Sequence, residues 1–518
     1  MKRLYTMIRS VAALGALLGA GCAGAQSMAS APASAAAPTS ASIHLEIPGL
    51  PSGPPVATQT LSPAALTTLL QTRSPLLLQL AGTPKCTISI SSLGYYTVDG
   101  RGKPTTAATA VMQPSGPGCT GSHPVALYAH GTSADRNYDL TNLNGDINGD
   151  DDALTAAAIF AAQGYDVVLP NYAGYAGSSL NYAPFLNANQ QAADMINALR
   201  AARLAFPSIL LDGLLNKLFV TGYSQGGYVA MATYRAMQPL TLEFHPVALA
   251  TGNGPYALSH MADEEIDGRP SGGSPVLFDL VVNSWQQSYG NVYPSPTEVF
   301  APQYAATAPG LLPGTVPETT LFAENAIPAT ALFQTGSLPG PNLTDPDTAV
   351  VVQAGFASAN FFLNTSFREH LVADVAANPC SNPTTGQPIA NCAPTTGFRQ
   401  DALRNDLLNF KPAVPLQMCG AHSDSTVYFD NTQIAAQFFE QEGVPASRLT
   451  VVDVDPGNAA PAGPFAALQA AFAAARAQVA AELGNSPTGQ LELSEDIHDL
   501  AEAPCVVAAR TFFQGMMK

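Results

Sequence analysis

Gly222, Ser224 and Gly226 form a G-x-S-x-G pattern inside Lys217-Leu-Phe-Val-Thr-Gly222-Tyr-Ser224-Gln-Gly226-Gly227-Tyr-Val-Ala-Met-Ala232, an apolar run, a turn and a helix-forming run in succession. A serine hydroxyl is a weak nucleophile unless a base takes its proton. The chemistry this spacing serves is covalent attack on a carbonyl by a hydroxyl raised on a strained strand-to-helix turn. Side chains two residues to either side would collide with neighbouring backbone, hence Gly222 and Gly226, while Gly227 lets the helix lie close to the sheet. The bare pattern arises by chance in glycine-rich chains; the flanking strand and helix make this instance specific.

The serine then needs a neutral imidazole to accept its proton and a carboxylate to stabilise the imidazolium formed. On a nucleophile elbow the acid and the histidine follow the serine in that order. Gly420-Ala-His422-Ser-Asp424-Ser-Thr-Val427 comes after an apolar run at 414–418, and Asp424 fits the orienting acid, with Asp430, Asp453 and Asp455 as competitors. Of eight histidines only His498 lies downstream of Asp424, which makes it the base by elimination. His422 sits too near Asp424 on the acid's own loop and reads as a supporting or pocket-wall residue. Upstream, Val125-Ala-Leu-Tyr-Ala-His130-Gly131-Thr132 is a strand ending in His-Gly, so the backbone amides of Thr132 and Gln225 are the candidate oxyanion donors. Such a donor is worth about 3 kcal/mol of transition-state stabilisation. His130 precedes the serine and reads as a brace for its loop.

These residues need a scaffold. Short apolar runs at 125–129, 166–169, 217–221 and 247–251 alternate with helical stretches at 152–163 and 189–203. That rhythm predicts an α/β fold with a mostly parallel sheet and helices on both faces. Period-2 patches at 86–91 and 105–112 predict antiparallel strands before it. The rhythm lapses in a Pro-, Gly- and Phe-rich stretch and resumes at 414–418 and 449–454, and an Ala-rich helix is expected over 465–483. The expected organisation is therefore a core at 61–255 and 411–518 with a cap or lid inserted at 256–410. The apolar content of the cap suggests an acyl site. The segment Pro170-Asn-Tyr-Ala-Gly-Tyr-Ala-Gly177 leaves a core strand and is expected to line the pocket.

Residues 1–25 carry Lys2 and Arg3, an apolar run at 11–20 and the small-residue site Ala23-Gly24-Ala25, which reads as a secretory signal peptide. The run is shorter than the ~20 residues a membrane-spanning helix requires. Leu18-Gly-Ala-Gly-Cys22 also satisfies a lipoprotein cleavage box, so two exported forms stand open: a periplasmic or secreted protein, or one tied to the outer membrane through a lipid anchor at Cys22. Residues 26–60 are Ala-, Ser- and Pro-rich and read as a flexible leader. With 518 residues, 47% of them apolar and 11% charged, the chain can bury a large core. Its net charge of −17 repels phosphate backbones and anionic membranes, which disfavours nucleic acid as a partner.

Seven cysteines become six once Cys22 is cleaved off or lipidated. In an exported chain six suggest three disulfides. If Asp424 and His498 meet, Cys419 and Cys505 lie on segments already together; Cys380 and Cys392 then close a local loop, leaving Cys86 for Cys119. Paired short Cys/His spacings for zinc are lacking, so no metal is expected. The acidic run at 144–152 has Asp151 where a calcium loop needs glycine and Ala157 where it needs a bidentate acid. It reads as an acidic cap for a helix from Ala153.

With these motifs assembled, the sequence resembles exported bacterial α/β-hydrolases related to the secretory lipases. The likeness spans nearly all of the mature chain and rests on Tyr128-Ala-His-Gly-Thr132, Gly164 to Gly174, Gly222-Tyr-Ser-Gln-Gly-Gly227, Met231-Ala-Thr-Tyr-Arg-Ala-Met237 and Gly420 to Val427. The chain departs from the family pattern in its long Ala-rich segment between Asp424 and His498. The resemblance implies hydrolysis of carboxylic esters, whether small, lipid or polymeric, by a Ser-Asp-His triad without a cofactor. A peptidase or an acyltransferase could use the same residues. A non-catalytic binding protein would require a missing triad member, and Ser224, Asp424 and His498 are all present.

Overall fold

The computed structural model describes residues 46–143, 149–215, 217–457 and 459–517. The expected signal peptide and Cys22 lie outside them, as does most of the acidic run. From the N-terminal side come β1 (Val56–Leu61), α1 (Pro63–Arg73), α2 (Pro75–Ala81), β2 (Thr87–Val98), β3 (Pro104–Ser115) and β4 (Val125–Ala129). Next are α3 (Asp150–Ile159), β5 (Asp166–Pro170), α4 (Ala188–Ala205), α5 (Pro207–Leu215), β6 (Leu218–Tyr223), α6 (Gln225–Met237) and β7 (Pro246–Gly252). A long insertion holds α7 (Leu258–Ile266), α8 (Ser274–Ser288), α9 (Pro296–Val299), α10 (Glu318–Ala323), β8 (Phe333–Gln334), α11 (Ala349–Ala354), β9 (Phe356–Ala357), α12 (Thr365–Ala377) and α13 (Gly397–Arg404). The chain closes with β10 (Leu416–Gly420), α14 (Phe429–Gln441), β11 (Leu449–Asp453), α15 (Ala466–Leu483) and α16 (Pro487–Met516).

One sheet runs in the order β1-β2-β3-β5-β4-β6-β7-β10-β11. From β1 to β5 the neighbours are antiparallel; from β5 onward they are parallel. The sequence pattern explains the division. Every residue of β4, β5 and β6 is buried, as strands covered by helices on both faces require, whereas β2 alternates between buried and half-buried positions. The parallel strands deliver their carboxyl ends to one side, and in such sheets that side carries the site.

The leader expected over 26–60 ends earlier than its composition suggests. Gly49 donates to the Tyr96 carbonyl (2.8 Å), Tyr96 donates to the Leu50 carbonyl (2.9 Å), and β1 pairs with β2. The cause is the free edge of β2, whose amides and carbonyls are satisfied by the alternating Val-Ala-Thr-Gln-Thr-Leu stretch. Helix α3 likewise begins before the expected Ala153.

Residues 253–415 intervene between β7 and its sheet neighbour β10. Backbone hydrogen bonds tie this insertion to two loops at the carboxyl ends of the strands. Arg136 donates to the Gly314 carbonyl (2.7 Å) and Gly314 to the Ala134 carbonyl (2.9 Å); on the other side Gly272 donates to the Ser425 carbonyl (2.8 Å).

Three cysteine pairs lie at disulfide distance: Cys86 with Cys119 and Cys419 with Cys505, each 5.5 Å between Cα atoms, and Cys380 with Cys392 at 5.0 Å. The Cys419–Cys505 bridge joins the end of β10 to the buried face of α16. It closes a separation of 86 residues, worth about 4–5 kcal/mol in the chain-entropy model. A Cys419→Ala/Cys505→Ala double variant should lose the reactivity of Ser224 toward a fluorophosphonate at a lower urea concentration than it loses helical ellipticity. Coincident transitions at the parental midpoint would show that the bridge does not hold these segments in register.

Candidate active site

Strand β6 runs directly into Ser224, which caps α6 with φ 58° and ψ −127°. An L-residue occupies that region only when its surroundings over-determine it. Here the Ser224 amide donates to the Gly252 carbonyl at 2.9 Å. A Cβ at Gly222 would meet the Ala129 carbonyl at 2.5 Å, and one at Gly226 would meet the His130 carbonyl at 2.7 Å. Both glycines are therefore steric requirements of the turn, and the loop after β4 passes against it.

His498 lies on helix α16. Ser486 caps α16 through a hydrogen bond from the Gly489 amide (3.0 Å), Pro487 starts it, and the chain stays helical to Met516 in spite of Pro504. Ser494, Ile497, His498, Ala501 and Cys505 recur at spacings of three to four and form the face turned to the sheet. His498 Nε2 lies 2.7 Å from Ser224 Oγ, and His498 Nδ1 lies 2.6 Å from Asp424 Oδ2. Tyr223 stacks near the ring, 5.1 Å between centroids, and its hydroxyl donates to the His498 carbonyl at 2.7 Å.

Asp424 is 0% exposed and His498 4%. Asp424 Oδ1 accepts from the amides of Thr426 (2.8 Å) and Val427 (3.0 Å), and Oδ2 accepts from His498 and from Asn253 Nδ2. Asn253 is absent from the sequence-based candidates. The signal available for it was slight: a polar residue in Thr251-Gly-Asn253-Gly, immediately after an apolar strand.

The competing acids are engaged elsewhere. Asp430 pairs with Arg269, Asp453 accepts from the His422 amide (3.1 Å), and Asp455 accepts from the Ser423 amide (3.2 Å). His422 is exposed. With Asp347, Asp453, Asp455 and Arg476 it lines a cavity of about 530 Å³ beside the acid loop, and none of Ser224, Asp424 and His498 lines that cavity.

The loop carrying Thr132 is braced from behind. His130 is buried, stacks on Tyr172 at 3.9 Å and contacts the carbonyls of Gly131 (2.7 Å) and Asn171 (3.2 Å). Tyr172 and Tyr175 donate to the carbonyls of His130 (3.1 Å) and Ser133 (2.8 Å), so the segment that follows β5 buttresses this loop. Gln225 opens α6 directly after the serine, at the positive end of the helix dipole.

No family model matches the chain, and neither does any curated protein. Solved structures do. The rice cell wall degrading esterase LipA from Xanthomonas oryzae is 26% identical with a TM-score of 0.67, covering 91% of this chain and 100% of its own. The chain has the α/β-hydrolase fold. A structure from Legionella pneumophila shares the fold at 18% identity and a TM-score of 0.60, over 86% of this chain and 98% of that one. The likeness to secretory lipases and esterases thus extends from the motifs to the whole fold.

Burial disfavours the charged form of His498, but the charge of Asp424, its hydrogen bond and the charge of Asp499 outweigh burial. The His498 pKa is raised above the ordinary histidine value.

Proposed function

We propose that this α/β-hydrolase is an exported serine esterase or lipase that cleaves carboxylic esters through an acyl-enzyme. One observation carries the reading: Ser224 Oγ, His498 and Asp424 form a continuous hydrogen-bonded chain with spans of 2.7 Å and 2.6 Å. A carboxylate only accepts, so His498 Nδ1 holds the ring proton and Nε2 is free to take the serine's. Ser224 attacks the ester carbonyl as its proton passes to Nε2. The amides of Thr132 and Gln225 receive the negative charge that develops on the carbonyl oxygen. His498 then protonates the departing alcohol, leaving Ser224 acylated, and water activated by the same imidazole releases the acid. The insertion at 253–415 serves as the cap, held against the Thr132 and Asp424 loops by its backbone clasps. LipA is described as cell wall degrading, which keeps polymer-borne esters among the substrates beside small and lipid esters. Three cysteine pairs at disulfide distance favour an oxidising compartment outside the cytoplasm.

The test is turnover of p-nitrophenyl esters of graded chain length beside an aminopeptidase substrate, followed across pH. Neutral His498 is the active form and its pKa is raised, so kcat/KM should fall on acidification with a midpoint above about 6.5. Peptide turnover without ester turnover would overturn the reading.

A further inference from the structure

The tip of β7 places a second donor on the acid that orients His498. Asn253 has a left-handed backbone, φ 35°, and its amide donates to the Cys419 carbonyl at 2.6 Å, which pins it to the strand whose loop carries Asp424. Its side-chain nitrogen faces Asp424 Oδ2 and the Val427 carbonyl, the latter at 3.1 Å. Both groups can only accept, so the amide orientation is determined: nitrogen toward Asp424, oxygen away. That oxygen lies against Gly420, where a Cβ would collide with it, and it has no hydrogen-bond partner among the described residues. Buried polar atoms are rarely left unpaired. An amide fixed with one end satisfied twice and the other end not at all points to a demand on the nitrogen, and the missing side chain at Gly420 makes room for it.

Resting on the function proposed above, we infer that Asn253 is a positioning residue: its donor turns the Asp424 carboxylate toward His498 and holds it there. The Thr426 and Val427 amides hold Oδ1, so Asn253 and His498 share Oδ2. Two donors on one oxygen hold its negative charge in place, and the shared proton stays on Nδ1 through the cycle. Without Asn253 that oxygen is less well aimed, and its charge bears undivided on the His498 ring. The charged and titratable groups bearing on the ring are Asp424, Tyr223 of β6 and Asp499 of the same helix. None of them replaces the lost donor.

The experiment compares the parental protein with Asn253→Asp and Asn253→Ala. Asn253→Asp keeps the size and packing of the amide but has a donor only when protonated; Asn253→Ala removes donor and acceptor together. Active serines are counted with a fluorophosphonate, and kcat and KM on p-nitrophenyl acetate are followed from acid to neutral pH. Expected is a fall in kcat per titrated serine of about tenfold or more, a KM within about twofold of parental, and an acid limb displaced upward by about half a unit or more. A purely structural Asn253 would lower the titratable serine count and leave kcat per serine and the acid limb unchanged; that result in either folded variant overturns the assignment. Failure of the parental Ser224 to label would instead overturn the esterase reading itself.

Discussion

Ser224→Ala and His498→Ala should each abolish ester turnover, by a factor on the order of 10⁶ if the three side chains act as a unit. The first removes the nucleophile. The second leaves a hydroxyl with no acceptor for its proton, because the 2.7 Å contact to Nε2 is the one the serine makes with a base. Neither change should unfold the protein. Ser224 keeps its turn through the backbone bond to Gly252 and the glycines around it, and in the His498→Ala variant Asp424 retains Thr426, Val427 and Asn253 as donors. Initial rates on p-nitrophenyl acetate, with circular dichroism as the control, check this. Folded variants that keep even a tenth of parental activity would sink the assignment of nucleophile and base.

Asp424→Asn should cost about 10⁴ in kcat, for a reason specific to this site. Oδ1 accepts two backbone amides, so an asparagine must put its carbonyl there and its NH2 where Oδ2 was. That NH2 faces His498 Nδ1, which must then accept, and the ring proton moves to Nε2, pointing at the serine. The tautomer is wrong for accepting the Ser224 proton. Asp453→Asn is the control, since Asp453 holds the His422 amide and lies outside the chain of hydrogen bonds to the serine. Near-parental kcat in Asp424→Asn, with activity lost in Asp453→Asn, would move the acid to the loop after β11.

Much of the site was legible before any coordinates because the requirements involved are local. An elbow needs small residues two positions either side of the nucleophile, and Gly222 and Gly226 meet that need within five residues. Central parallel strands are buried on both faces, so β4, β5 and β6 announce themselves as continuous apolar runs. Chain order then leaves His498 as the remaining histidine and Asp424 as the first acid after a strand.

What needed the tertiary structure is what depends on partners distant in sequence. β1 was hidden in an Ala/Ser/Pro-rich stretch because a strand of weak intrinsic pattern forms when a neighbouring edge offers unpaired backbone, and that edge, β2, lies about thirty residues on. Chain order names His498, but that it reaches Ser224 from the sheet-facing side of a thirty-residue helix is decided by the packing of α16. Asn253 carries only a slight local signature, a polar residue after an apolar strand, since its nitrogen matters through a carboxylate 171 residues away. Composition and periodicity record what a residue asks of its immediate chain; the donor an acid receives across two strands is a property of the packed fold, and only the fold reveals it.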